Sequence, residues 1–367
     1  MSNKRASVAN KICELCLSPD LGGLELYMMR TSRYFGEECI SVINEKGKLK
    51  SYYEDTPHRF MSLKRRNVFL SWLNAPKLAR IIDEEEIDVL HLHWTKDLPL
   101  AIMAKLLSSR RPKVVQSRHM RMTRFKDDFY HRFLYRNLDM ILAVTQQVKG
   151  QIEKFIPSAI CPKVETLYIG AQLPVLISED ERKSRREQLA LDNSFTVGIV
   201  GRIEEAKGQH IVLSAVQKLV NQGLDAKALV IGAAMDASYL QKLQNGYRDI
   251  GIFTGFTREA QTMMQLCDVM VLATENETFG LVLIEAMMCG VCVVASDSGG
   301  PLEIIEDGVD GLLFKTFDSD NLAEKLTLLY RDSLLHQTLA VAGRAKALEV
   351  FESQKQFDAL NTILKKV

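Results

Sequence analysis

The sequence contains no apolar run approaching the roughly 18 uninterrupted residues that a membrane-spanning helix needs. Nor does an apolar segment follow Lys4 and Arg5, so no secretory leader is legible and the chain is expected in the cytoplasm. Its seven cysteines (13, 16, 39, 161, 267, 289 and 292) are odd in number and lack a secretory context, which argues against a disulfide framework and predicts reduced thiols. Cys13/Cys16 and Cys289/Cys292 do have the C-x-x-C spacing of half a zinc site. However, Cys13 lies in an apolar strand-like run, Cys289 ends a helical pattern and Cys292 sits in VCVVAS, so packing is the better account. No internal repeat or low-complexity tract is visible, which excludes a solenoid. The one D-x-D, Asp318-Ser319-Asp320, precedes the helical NLAEKL, where helix capping explains it better than metal binding. Neither a metal nor another cofactor is expected.

What is present is the composition of a soluble globular protein, 47% hydrophobic and 25% charged, over 367 residues. That length exceeds what one core supports, so two α/β domains are expected. The net charge of +1 conceals an asymmetry: residues 1–173 carry 28 Lys+Arg against 19 Asp+Glu, a net +9, and the remainder is −8. Opposite signs on two halves suggest two partners.

Short apolar runs flanked by turn residues alternate with helical patterns, the signature of parallel sheets covered by helices. In the first half the runs are KICELCL (11–17), EECISVI (37–43), DVLHLH (88–93), KVVQSRH (113–119) and DMILAV (139–144). In the second they are FTVGIVG (195–201), AKALVIG (226–232), IGIFTG (250–255), DVMVLA (268–273), VCVVAS (291–296) and GLLF (311–314). Between them KVETLYIGAQLP gives way to SEDERKSRREQ, read as a crossing between domains followed by a solvated helix. This predicts an N-terminal domain over 1–173, a second over 174–352, and a terminal helix within 353–367 that packs back on the first.

The densest chemical signal is ENETFGLVLIEAMMCG (275–290), directly after DVMVLA. Gly280 and Leu281 open a helix and Gly290 stops it. Its N-terminus, at the carboxyl end of a parallel strand, offers free N–H groups and a positive dipole end to an anion such as a diphosphate. Glu277 and Glu285 frame this start; a carboxylate accepts hydrogen bonds from sugar hydroxyls and repels phosphate, so both read as ribose or hexose ligands.

The run ETFGLVLIEAMMCG, followed by Val291 to Ser296 and SGGPLEII, resembles the nucleotide-sugar signature of the retaining family-four glycosyltransferases, in which two Glu bracket seven residues. The likeness continues in GRIEEAKG (201–208), FTGF (253–256), LCDVMVLATENE (266–277) and GGLE (22–25), dense over 195–315 and thinner before residue 170. It implies the GT-B architecture: two Rossmann-like doubly wound domains facing across a cleft, the N-terminal one for the acceptor and the C-terminal one for a nucleotide sugar. It implies a metal-independent, retaining hexosyltransferase, serving cell-envelope polysaccharide or lipopolysaccharide synthesis. By the same likeness Arg202 and Lys207 neutralise the donor diphosphate and, with Glu277 and His119, carry the catalysis. His119, ending KVVQSRH, would touch a sugar hydroxyl or support the developing charge. The donor-binding set is then Gly22, Gly23, Arg202, Lys207, Phe253, Gly255, Glu277, Thr278, Phe279, Gly280, Leu281 and Glu285, with Gly299 and Gly300 resembling the Gly22-Gly23 pair.

The chain also departs from the family. Ile169-Gly170 stands for the usual Asn-Gly pair, and Gly232-Ala233-Ala234 for a G-x-G. His91 and His93 alternate along DVLHLH and so face one side; with Trp94 they could line an acceptor cleft, and a metal pair there has no third ligand in view, so satisfied, partly buried histidines are the expectation. The stretch 108–136 interleaves Arg and Lys with Phe125, Phe129, Tyr130, Phe133 and Tyr135 and, with LKRR (63–66), suggests an anionic membrane surface or phosphorylated glycolipid acceptor. No nucleic-acid module accompanies it. A nucleotide-sugar epimerase of the same fold and a silent nucleotide-sugar-binding subunit are the alternative readings.

Overall fold

The computed structural model describes residues 10–65 and 68–367, so Lys4, Arg5 and Arg66 of the basic segments lie outside the described residues. The chain divides into two compact units, residues 1–169 with 356–367, and 170–355.

The first unit is built on a seven-stranded, wholly parallel sheet: β1 (Ile12–Cys16), β2 (Cys39–Asn44), β3 (Phe60–Leu63), β4 (Val89–Leu92), β5 (Lys113–Arg118), β6 (Met140–Ala143) and β7 (Lys163–Thr166), in the order β3-β2-β1-β4-β5-β6-β7. The second has six parallel strands: β8 (Phe195–Val200), β9 (Ala226–Ile231), β10 (Gly251–Gly255), β11 (Val269–Leu272), β12 (Cys292–Ser296) and β13 (Leu312–Phe314), ordered β10-β9-β8-β11-β12-β13. Each order reverses direction beside its first strand, the doubly wound pattern in which ligands meet the carboxyl ends of the strands at the switch point. All eleven strands read from the sequence are present. β3 and β7, which were not, are edge strands of mixed polarity, with less apolar run to betray them.

The central strands are buried on both faces because helices cover each side, which is why they read as continuous apolar runs. One face of the first sheet carries Cys13, Leu15, Leu90, Leu92 and Val114. The other carries Ile12, Val89 and Val115, covered by Leu360 and Leu364 of the terminal helix Ser353–Leu364. This second face changes character along the strands: two residues on from those three apolar positions stand Glu14, His91 and Ser117, all buried.

The helix Glu179–Gln188, expected to be solvated, is tied down by its arginines. Buried Arg186 donates to the carbonyls of Asp192 (3.0 Å) and Ser194 (2.6 Å), and Arg182 to that of Gln265 (2.9 Å). Guanidinium forks satisfy backbone carbonyls that would otherwise be orphaned. Gly170 is explained by the crossing itself. A Cβ there would fall 2.4 Å from the Ser353 Cα, where Ala171 N donates to Phe351 O and Ser353 N to Ala171 O, both at 2.9 Å.

Asp318 caps the helix Ser319–Arg331 by accepting from the amides of Asp320 (3.0 Å) and Asn321 (2.9 Å). All seven cysteines are free thiols, and burial pushes those of Cys289 and Cys292 up to about 12. No helix among the described residues is long and apolar enough to cross a membrane.

Candidate active site

In the second unit the predicted residues gather on the loops after β8 and β11. Lys207 Nζ lies 3.3 Å from Glu277 Oε2, both half-buried. The pair joins the loop following β8 to the segment that precedes the helix Leu281–Met288. Arg202 is exposed and pairs with Glu204 at 3.0 Å, so its guanidinium is held near the strand end without being buried. Glu285 and Thr278 are half-buried; Phe279 is buried and meets the Phe351 ring edge-on. The Phe253 ring packs against the second hydrophobic core, while Gly255 is exposed and accepts from Gly232 N at 3.0 Å.

Two glycines hold this loop. Gly300 N donates to Glu277 O at 3.0 Å, and a Cβ on Gly300 would stand 2.2 Å from Phe279 O. Gly299, at φ +73°, would place a Cβ 2.2 Å from Glu277 O. The SGG segment therefore presses its backbone against the ETF segment, and no larger residue fits. This gives Gly299 and Gly300 a role in shaping the loop that carries Glu277, which their likeness to Gly22-Gly23 alone did not specify. In the altered G-x-G, Ala233 O accepts from Ile203 N at 2.8 Å and Ala234 bridges Ile203, so the substituted residues still pair with the loop that carries Arg202.

In the first unit Gly22 immediately precedes the helix Gly23–Phe35, and among the described residues nothing beyond its chain neighbours and the adjacent helix backbone would meet a Cβ on Gly23 within 4 Å. His119 follows β5 and is partly exposed, with Nδ1 buried and unpartnered among the described residues. His91 and His93 do not line a cleft: both are fully buried, because they point into the interface between the sheet and its covering helices. A third group is also at hand. Glu14, directly opposite His91 in the β1/β4 register, bonds His91 Nδ1 at 3.1 Å and His93 Nε2 more closely. Glu14, Ser117 and Tyr27, whose ring stands 5.3 Å from His119, were missed by sequence reasoning. A signal existed in Glu14 itself, since a carboxylate inside a run destined for burial on both faces requires partners. Trp94 lies under two cations, Arg65 at 4.8 Å and Lys96 at 5.2 Å.

The basic-aromatic stretch is only partly surface. Phe125, Phe129 (89% exposed), Tyr130 and Phe133 face outward, whereas Tyr135 and Arg118 are buried. Arg118 donates to the carbonyls of Met120 (2.9 Å) and Arg121 (3.2 Å), and Arg132 pairs with Asp127 at 2.6 Å.

Residues 14–147 match the family described as glycosyl transferase 4-like, and residues 180–346 match glycosyl transferases group 1. Among curated proteins the chain is 27% identical over 299 residues to N-acetyl-alpha-D-glucosaminyl L-malate synthase of Bacillus anthracis, covering 79% of this chain and 77% of that one. It is 24% identical to the capsular polysaccharide biosynthesis glycosyltransferase CapM of Staphylococcus aureus, covering 89% and 90%. Among solved structures, Anabaena Alr3699/HepE in complex with UDP and glucose superposes with a TM-score of 0.84 at 23% identity, over 98% of this chain and 100% of that chain. With family matches in both units and this shared fold, the chain belongs to the family-four glycosyltransferases of the GT-B fold.

Proposed function

We propose that the chain transfers a hexose-type sugar, with retention and without a metal, from a nucleoside diphosphate sugar to a glycan or glycolipid acceptor. The observation that carries this reading is the Lys207–Glu277 pair at the N-terminal approach of the helix Leu281–Met288. The ammonium, the Arg202 guanidinium and the helix dipole together meet a departing diphosphate, doing electrostatically what a divalent cation would otherwise do. Glu277 orients the ammonium and accepts sugar hydroxyls, Glu285 accepts ribose hydroxyls, and His119 accepts a hydroxyl of the sugar. The solved relative is in complex with UDP and glucose, and the curated relatives are an N-acetyl-alpha-D-glucosaminyl L-malate synthase and a capsular polysaccharide biosynthesis glycosyltransferase, all in keeping with this chemistry.

The acceptor half carries exposed Phe129, Phe125, Tyr130 and Phe133 among arginines and lysines, the composition that binds an anionic lipid surface, each cation contributing on the order of 1 kcal/mol. On this reading the chain works as a peripheral protein at the inner leaflet. It should pellet with phosphatidylglycerol vesicles and release as salt shortens the Debye length from about 10 Å to about 3 Å; equal binding to neutral vesicles would remove this part.

The principal test incubates the protein in chelator with a panel of nucleotide sugars and a glycan or glycolipid acceptor extract. The expected result is free nucleoside diphosphate and a product with the anomeric configuration of the donor. Epimerised nucleotide sugar, binding without turnover, an inverted product, or activity that magnesium or manganese must restore would each contradict the proposal.

A further inference from the structure

A line of hydrogen bonds crosses three strands of the first sheet. Ser117 Oγ meets His91 Nε2 at 2.8 Å, and His91 Nδ1 meets Glu14 Oε1 at 3.1 Å. Glu14 Oε2 meets His93 Nε2, and His93 Nδ1 meets His119 Nε2 at 3.3 Å. The line ends at His119 Nδ1, which is buried and without a partner among the described residues. Tyr27 packs edge-on against both His93 and His119 and holds their rings in place.

The direction of each bond follows from the donor inventory. An ionised carboxylate only accepts, so the proton between Glu14 and His93 is on His93 Nε2. A neutral imidazole protonated there has a lone pair at Nδ1 and can only accept, so the proton in the next contact is on His119 Nε2. His119, neutral and protonated at Nε2, therefore keeps a lone pair at Nδ1, an atom covered by protein that meets a ligand hydroxyl when the partly exposed side chain shifts.

The charge states agree with this assignment. Burial alone would push the Glu14 carboxyl up, but the attraction of His91 and His93, which take up protons in the acid range where a carboxyl titrates, and the hydrogen bonds from both rings prevail and hold it at about 2. Burial, reinforced by the neighbouring imidazoles, pushes His93 down and His119 well down, so both are neutral. Glu14, His91 and His93 are also the one group of such side chains among the described residues whose ligating atoms all lie within 4.8 Å, but their nitrogens and oxygens are already engaged with one another and with Ser117 and His119.

We infer that Glu14 and His93 are positioning residues that lock His119 in its Nε2–H form, so that Nδ1 is a dedicated acceptor for a sugar hydroxyl and turns away phosphate and carbonyl oxygens. This rests on the reading of His119 as a sugar contact and deepens it. An acceptor-only atom selects its ligand by chemistry: a hydroxyl can donate to it, whereas an oxygen bearing no hydrogen meets lone pair against lone pair.

The test uses the full chain labelled with 15N-histidine, and reads imidazole protonation by long-range proton–nitrogen correlation. His93 and His119 should both carry their proton on Nε2, and UDP-glucose, or the donor that the panel identifies, should shift the His119 Nδ1 resonance. Glu14→Gln should disturb the His119 tautomer and lower kcat/KM for the sugar donor about tenfold, leaving affinity for the nucleoside diphosphate unchanged. His119→Asn places an amide oxygen near the Nδ1 position and needs no tautomer, so in that background Glu14→Gln should have no further effect on kcat/KM. A proton on His119 Nδ1, an undiminished Glu14→Gln effect in the His119→Asn background, or metal bound stoichiometrically and lost in Glu14→Gln would overturn the inference at its own step. Correct tautomers with kinetically silent His119→Ala would overturn it through the sugar-contact reading instead.

Discussion

The two units share an architecture and place their polar groups differently. The second carries Lys207, Arg202 and Glu277 on loops beyond the strand ends, half-buried or exposed, with glycine backbones fitted beneath them. The first carries Glu14, His91 and Ser117 on the strands themselves, and all three are wholly buried. A loop site can change its charges without disturbing the core. A strand site cannot, because each member is both a core residue and the hydrogen-bond partner of another. For the charged side chains, function and stability should therefore separate cleanly in the second unit and remain entangled in the first.

The largest effect that bears on this contrast is expected from Glu14→Ala. It leaves two buried imidazole N–H donors without an acceptor, at about 1–3 kcal/mol each, and should cost about 2–6 kcal/mol of unfolding free energy, measured by denaturant titration. A cost under about 1 kcal/mol would erase the distinction between the units. Next comes Gly300→Ala, where a Cβ meets Phe279 O at 2.2 Å. Overpacking of this kind costs about 1–3 kcal/mol, and donor affinity should fall roughly in proportion as the Glu277 loop is displaced. Unaltered donor affinity would show that the loop's position does not matter to binding. The smallest is Glu285→Gln, which weakens donor affinity by about 1 kcal/mol through one ribose hydrogen bond while leaving the unfolding midpoint in place. A shifted midpoint with unchanged affinity would make Glu285 a structural residue.

The same contrast explains what the sequence disclosed. Glu277, Gly280 and Glu285 belong to one strand-loop-helix segment, so their relation is written in local spacing. The Lys207–Glu277 contact spans 70 positions and was reachable only by family likeness. Glu14 and His93 are 79 residues apart and come together through parallel strand register, which depends on which strands are neighbours. His91 and His93 were correctly placed on one side of their strand, but burial was underestimated because period-two alternation tells which residues share a face and not what covers it. Tyr135 and Arg118 were grouped with a surface for a similar reason: a composition window ignores the helix face and the strand interior into which those side chains turn. The edge strands β3 and β7 escaped because each has one exposed flank and so lacks a long apolar run.

The account depends most on Lys207 meeting a diphosphate without a metal. Calorimetric titration of UDP, or of the nucleoside diphosphate released in the sugar panel, into wild-type protein and Lys207→Ala in the presence of chelator tests this directly. Saturable wild-type binding in chelator, weakened at least tenfold by Lys207→Ala with an unchanged unfolding midpoint, is the predicted result. Equal affinity of the two proteins, or wild-type binding that appears only when a divalent cation is restored, would contradict it.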